Sequence, residues 1–207
     1  MKKVGLLLGL IASFCFANNF NTAVTAYVKG DYKKAFQYHQ KACDDGEMQG
    51  CFDVGVLYAN GEGVKKNYFK AKEYYQKSCN GGNAKGCNNL GGLHYDGQGA
   101  RQDYSKAKEC YQKACDGGEA LSCANLAFLY AKRQGSKKDL TLAKEYYQKS
   151  CDGGFAAGCS KLGLLYYYLE EGVEQDYRVA KKYFAKACDL GEQMWCNAYK
   201  SLTTQGY

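Results

Sequence analysis

Along this chain apolar and polar positions alternate with a helical rhythm, and the rhythm itself repeats. The stretch from Asp103 to Asp139, DYSKAKECYQKACDGGEALSCANLAFLYAKRQGSKKD, holds two runs with apolar and aromatic residues at helical spacing, separated by a polar turn and closed by a polar loop. That pattern predicts two amphipathic helices per unit and no strand. Displaced by 36 residues, the sequence falls on itself: Lys41-Ala42-Cys43, Lys77-Ser78-Cys79, Lys113-Ala114-Cys115 and Lys149-Ser150-Cys151 are evenly spaced, and Lys186-Ala187-Cys188 follows after 37. A fixed period of this size is the signature of stacked supersecondary units.

The boundaries of each helix can be read from its residue types. Asp31, Asn67, Asp103, Asp139 and Asp176 open the first helix of each unit, where a short carboxylate or amide caps free N–H groups. Four residues later every copy has alanine, at Ala35, Ala71, Ala107, Ala143 and Ala180, a small residue suited to a close helix approach. The first helix closes on cysteine followed by Gly pairs such as Gly81-Gly82, Gly117-Gly118 and Gly153-Gly154, a helix-stop signal. The second helix begins near Glu47, Asn83, Glu119 or Phe155. It carries Gly55, Gly91, Ala127 or Gly163 in one register and Leu57, Leu93, Leu129 or Leu165 two residues on. Glycine within a helix costs about 1 kcal/mol relative to alanine, so its recurrence suggests tight packing.

Each unit also holds a Cys-x7-Cys pair: Cys43 and Cys51, Cys79 and Cys87, Cys115 and Cys123, Cys151 and Cys159, Cys188 and Cys196. Spacing alone does not fix connectivity, but five equal spacings within one repeat point to bridges inside each helical hairpin. Zinc prefers short-spaced ligand sets, which these pairs with seven intervening residues and no nearby histidine do not supply. Neither a metal nor another cofactor is expected.

The motifs D-Y-x-K-A-x-x-Y-Y-Q-K-A-C-D-G-G, A-x-x-C-x-N-L-G-x-L-Y and G-x-G-V resemble a Sel1-like repeat. With the paired cysteines, they resemble the Helicobacter cysteine-rich protein family over roughly residues 20–207. The resemblance implies an all-α fold, an α/α solenoid related to tetratricopeptide arrays, exported and stapled by disulfides. It also implies penicillin binding with weak β-lactamase activity, and secretion into the view of host immune systems.

Residues 1–17 read as a secretory signal peptide: Lys2 and Lys3 precede an apolar run from Val4 to Phe16, with Cys15-Phe16-Ala17 at the cleavage end. A lipid anchor at Cys15 is the alternative, disfavoured by Phe14 before it. The run is too short for a membrane span, which takes about 20 apolar residues. Residues 18–207 are expected to form a single solenoid of about five repeats with atypical terminal helices, Phe20 to Val28 at one end and Trp195 to Thr204 at the other. Cleavage would leave 11 of the 12 cysteines, five pairs and a lone thiol at Cys110. Export would place the bridges in an oxidising periplasm or outside the cell. Each nine-residue ring is worth about 2.5 kcal/mol in the chain-entropy description.

Composition adds less. The net charge of +7 comes partly from a lysine column, Lys41, Lys77, Lys113, Lys149 and Lys186, in the last turn of each first helix, where cations complement the helix dipole. Glu73, Glu109 and Glu145 interleave with the lysines, which argues against nucleic acid. Tyrosines also form columns, Tyr38, Tyr74, Tyr146 and Tyr183 in one and Tyr75, Tyr111 and Tyr147 in the next, read mainly as packing between helices. Ser105-Lys-Ala-Lys108 matches a Ser-x-x-Lys motif, yet its serine register holds Lys33, Phe69, Thr141 and Arg178 elsewhere, and the partner motifs of serine β-lactamases are absent. No catalytic residue is therefore assigned. The expected function is binding of a peptide, peptidoglycan fragment or β-lactam on a concave face formed by the second helices, with weak β-lactam hydrolysis on the strength of the resemblance. The alternative is a non-enzymatic module that engages a host or envelope protein; on either reading a monomer without a membrane span is expected. Candidate contact residues are Asn88, Asn89, Asn125, Ser160 and Lys161, beside the glycine register.

Overall fold

The computed structural model describes residues 19–132, 134, 139–168 and 174–207, so the expected leader at residues 1–17 lies outside the described residues. The chain divides into two compact units, Met1–Gln102 and Asp103–Tyr207. Among the described residues there are eleven helices and no strand. The first unit contains α1 (residues 19–28), α2 (Tyr32–Asp44), α3 (Met48–Asn60), α4 (Tyr68–Asn80) and α5 (Ala84–Asp96). The second contains α6 (Tyr104–Asp116), α7 (Ala120–Ala131), α8 (Leu140–Asp152), α9 (Ala156–Tyr167), α10 (Tyr177–Asp189) and α11 (Gln193–Thr204). Within each unit, consecutive helices pack as neighbours, giving an α/α solenoid of stacked hairpins.

The helix starts follow the capping residues. The side chains of Asp31, Asn67, Asp103, Asp139 and Asp176 accept from backbone N–H groups of the first turn that follows. Such a cap contributes about 1 kcal/mol. Within each Gly-Gly turn it is the second glycine that takes the left-handed conformation: Gly82, Gly118 and Gly154 have φ of 88°, 87° and 82°. The first serves packing instead. A Cβ on Gly153 would sit 2.7 Å from the Ala120 methyl.

Five disulfides join the hairpin helices, Cys43–Cys51, Cys79–Cys87, Cys115–Cys123, Cys151–Cys159 and Cys188–Cys196. Their Cα atoms lie 4.5 to 4.8 Å apart. In the first four hairpins small neighbouring side chains make room for this approach. The residue before the second cysteine is Gly50, Gly86, Ser122 or Gly158, and a Cβ on Gly50 would lie 2.9 Å from that of Ala42. On Gly86 or Gly158 it would strike the Ser78 or Ser150 hydroxyl, within 2.6 Å.

The alanine column of the first helices is closed off from solvent. Ala35, Ala71, Ala107, Ala143 and Ala180 are fully buried. So are Val54, Leu126 and Leu162 on the second helices. The glycine register is filled by rings: a Cβ on Gly55 would lie 2.6 Å from the Tyr75 ring, and one on Gly163 would lie 2.7 Å from Phe184. In α11 the same register holds Lys200, which is exposed.

A polar ladder runs alongside this contact. Tyr74 donates to Gln40, whose amide donates to Asp44. Tyr146 does so through Gln112 to Asp116, and Tyr183 through Gln148 to Asp152. The tyrosines of this ladder stack on Tyr58, Tyr130 and Tyr166 of the preceding second helices. The lysine column complements helix ends across hairpins, as Lys77 donates to the Cys43 carbonyl at 3.1 Å and Lys186 pairs with Asp152 at 2.9 Å.

Cys110 is the free cysteine among the described residues. Burial pushes its thiol up to about 11, with nearby Lys113 opposing the shift, so it is protonated at neutral pH and a poor nucleophile. Alkylation of the oxidised, unreduced protein under denaturant should modify Cys110 alone among residues 19–207, and tryptic mapping should recover the five hairpin cross-links. A cross-link between Cys79 and Cys115 would contradict the pairing.

Candidate functional site

The second helices carry two adjacent registers just past their cysteines. The first holds Phe52, Asn88, Ala124 and Ser160, the second Asp53, Asn89, Asn125 and Lys161. The expected contact residues therefore come from two registers. In the first unit, the Asn88 amide donates to the Asn89 carbonyl oxygen at 3.1 Å, and Asn89 is hydrogen-bonded to the buried Tyr75 hydroxyl. In the second unit, Asn125 is half-buried and Lys161 is exposed. Ser160 requires a correction: it is 3% exposed, and its hydroxyl donates to the Ala157 carbonyl at 3.1 Å. It turns into the helix interface rather than towards a ligand, because its register faces the neighbouring first helix, as the buried Ala124 also shows.

Sequence reading missed Asp53, which sits in the register of Asn89 and Asn125. It faces His39, which itself takes the register of Tyr75, Tyr111 and Tyr147. Where another hairpin pairs Tyr75 with Asn89, this one pairs His39 with Asp53, the imidazole Nδ1 lying 3.3 Å from the carboxylate. Gln49 donates to Asp53 at 3.1 Å, and Phe20 of α1 packs edge-on against the imidazole. Burial raises Asp53 to about 6, against the pull of the Gln49 hydrogen bond and the Lys85 charge. Burial also lowers His39 to about 4. At neutral pH the site is thus a half-buried carboxylate beside a buried neutral ring. The two departures from the repeat could have been found in the sequence by comparing the two registers together.

In the second unit, the second helices leave two depressions that share Leu164 and Tyr168. One, of about 200 Å3, is lined by Tyr167, Phe184, Trp195, Ala198 and Leu202. The other, of about 300 Å3, includes Phe128, Lys132, Leu140, Tyr147 and Lys161. Among the described residues no cluster of three or more His, Cys, Asp or Glu side chains could hold a metal ion, and no helix is long and apolar enough to cross a membrane. Ser105 is exposed on the first turn of α6.

A Sel1 repeat profile matches residues 25–47, 49–83, 84–119, 120–155 and 156–192. The chain belongs to the Sel1 repeat family. In that frame a repeat begins at the second helix, so each of the first four disulfides joins the end of one Sel1 repeat to the start of the next. The Helicobacter cysteine-rich branch is also evident. The chain is 47% identical over 47 residues to HcpE of Helicobacter pylori, named as a candidate beta-lactamase, a match spanning 22% of this chain and 13% of HcpE. It superposes on Helicobacter pylori cysteine rich protein B with a TM-score of 0.53 and 32% identity, over 64% of this chain and 95% of that one. The fold is shared with c5321, a protective antigen of uropathogenic Escherichia coli, at a TM-score of 0.81 and 24% identity over 92% of this chain and 42% of that one. The matched stretch is thus a small part of HcpE and under half of c5321.

The sign of the Asp53 shift gives a direct test. Its folded value, about 6, lies above the ordinary 3.8, so the ionised carboxylate costs stability above that folded value. The cost fades as pH falls from 6 towards 3.8. Asp53→Asn, which installs the residue found at Asn89 and Asn125, should raise the unfolding free energy at alkaline pH by about 2 kcal/mol. The gain should shrink steadily on acidification. Guanidinium denaturation of the oxidised protein across that pH range measures both, and a destabilised variant at alkaline pH would refute the account.

Proposed function

We propose that this Sel1 repeat protein is an extracytoplasmic binding module that holds an extended peptide, or the peptide part of a peptidoglycan fragment, along its second-helix face. The observation that carries this reading is the pair of adjoining depressions left by α7, α9 and α11 in the second unit. Stacked repeats create long binding surfaces of this kind. Asn89 in the first unit, and Asn125 with Lys161 in the second, supply polar groups of the sort that bond a peptide backbone. Five disulfides support a site of action in an oxidising compartment. A protein ligand of the host or the envelope would use the same face.

Replacing Asn89 and Asn125 together by alanine should weaken peptide binding by more than about 1 kcal/mol. Tyr75→Phe is the control, since it removes the hydroxyl that engages Asn89 but keeps the amide. Unchanged affinity in the double variant, with loss of binding on substitution of Lys77, Lys113 and Lys149, would place the ligand on the other face.

Hydrolysis of β-lactams is a second reading, supported by HcpE's name. If the purified chain turns over a chromogenic β-lactam, Ser105→Ala should leave the rate unchanged. A loss beyond about tenfold, worth some 1.4 kcal/mol in the transition state, would make the exposed Ser105 a nucleophile after all.

A further inference from the structure

A repeat protein supplies its own control, because each register shows what the scaffold alone requires. In the second unit, several departures from the repeat converge on one surface. Trp195 stands where Gly50, Gly86, Ser122 and Gly158 stand in the other hairpins. Phe184 replaces the tyrosine of Tyr75, Tyr111 and Tyr147, and the two rings stack at 4.9 Å with an interplanar angle of 12°. Leu165 is half-buried, while its counterparts Leu57, Leu93 and Leu129 are 1%, 6% and 0% exposed. Lys161 replaces the acid or amide of Asp53, Asn89 and Asn125. The remaining hairpins stack without these particular side chains.

Together they form a groove with two chemically distinct halves. Around Phe184, Trp195, Ala198 and Leu202 the surface is apolar, with Tyr168 at its rim and 56% exposed. At about 200 Å3 this half is smaller than the sites of drug-sized ligands, which run to about 300–1,000 Å3, and it suits a single side chain. The adjoining half carries two ammonium groups, Lys132 and Lys161, and no carboxylate is among the described residues that line either depression. A pair of lysines beside an apolar pocket is complementary to a carboxylate beside an aromatic or leucyl side chain.

We propose that this groove selects a peptide segment in which an aromatic or leucyl side chain is flanked by acidic residues, the side chain entering the Trp195 pocket and the carboxylates facing Lys132 and Lys161. The proposal rests on the reading of the second-helix face as a peptide site. It adds the sequence class of the ligand and confines the specificity to the second unit.

The test uses the oxidised full chain and three fluorescein-labelled peptides, Glu-Asp-Phe-Leu-Asp-Glu, its charge-reversed form Lys-Lys-Phe-Leu-Lys-Lys, and its truncated form Glu-Asp-Ala-Ala-Asp-Glu, followed by fluorescence anisotropy. The acidic aromatic peptide should bind at least about tenfold more tightly than either comparator, a difference of some 1.4 kcal/mol. Lys132→Ala with Lys161→Ala should weaken it by a similar factor and flatten its salt dependence. Ala198→Trp, which fills the pocket without touching the lysines, should weaken it while preserving the salt dependence. Circular dichroism melts confirm that each variant is folded. Equal binding of the charge-reversed peptide overturns the proposal, as does full affinity in the lysine variant. If that affinity instead falls with Asn89→Ala and Asn125→Ala, the general peptide reading survives and the groove assignment does not. If none of the three peptides binds at millimolar concentration, both are refuted.

Discussion

Close approach between paired helices is the constraint on which the rest of the structure depends. A disulfide that closes a nine-residue ring brings Cα atoms to 4.5–4.8 Å, and in four of the five hairpins small residues flank the bridge on both helices. The chain meets this with Ala42, Ser78, Ala114, Ser150 and Ala187 on the first helix, and with Gly50, Gly86, Ser122 and Gly158 on the second. Because those positions carry no large apolar group, the hairpin alone buries little. Its stability comes from the covalent link, which restricts the unfolded chain, and from docking against the next hairpin through Ala71 and Tyr75 or Ala180 and Phe184.

The interface between hairpins then divides its work. Rings filling the glycine register remove apolar surface from water. The Tyr–Gln–Asp ladder beside them gives each half-buried hydroxyl a specific partner, so a slip of one hairpin along another would break it. Lysines at the first-helix ends satisfy carbonyl groups or carboxylates of the preceding hairpin. These contacts give Lys77 and Lys186 a structural role without calling on an acidic partner.

Departures from the repeat occur at both ends of the described chain and differ in character. In the first unit, His39 and Asp53 replace a tyrosine–asparagine pair and bury groups that titrate. In the second, Phe184 and Trp195 replace a phenol and a small residue and leave an apolar recess beside two lysines. Uniform repeats between them serve as scaffold. A binding reading therefore draws its support from the exceptions rather than from the period.

Much of this was legible in the sequence. The period, the helix starts at Asp31, Asn67, Asp103, Asp139 and Asp176, the alanine column and the pairing of cysteines all follow from local chemistry that repeats. Repetition turns a weak local signal into a strong one. Tertiary structure decided which way side chains point. Ser160 looks polar and available in the sequence, yet its register turns it into the helix interface, where it bonds to its own helix. Asn89 also looks available in the sequence, yet it is engaged by a tyrosine from a neighbouring helix. The His39–Asp53 contact and the recess at Trp195 depend on residues from different helices meeting in space. A one-dimensional period records each of those residues and says nothing of the distance between them.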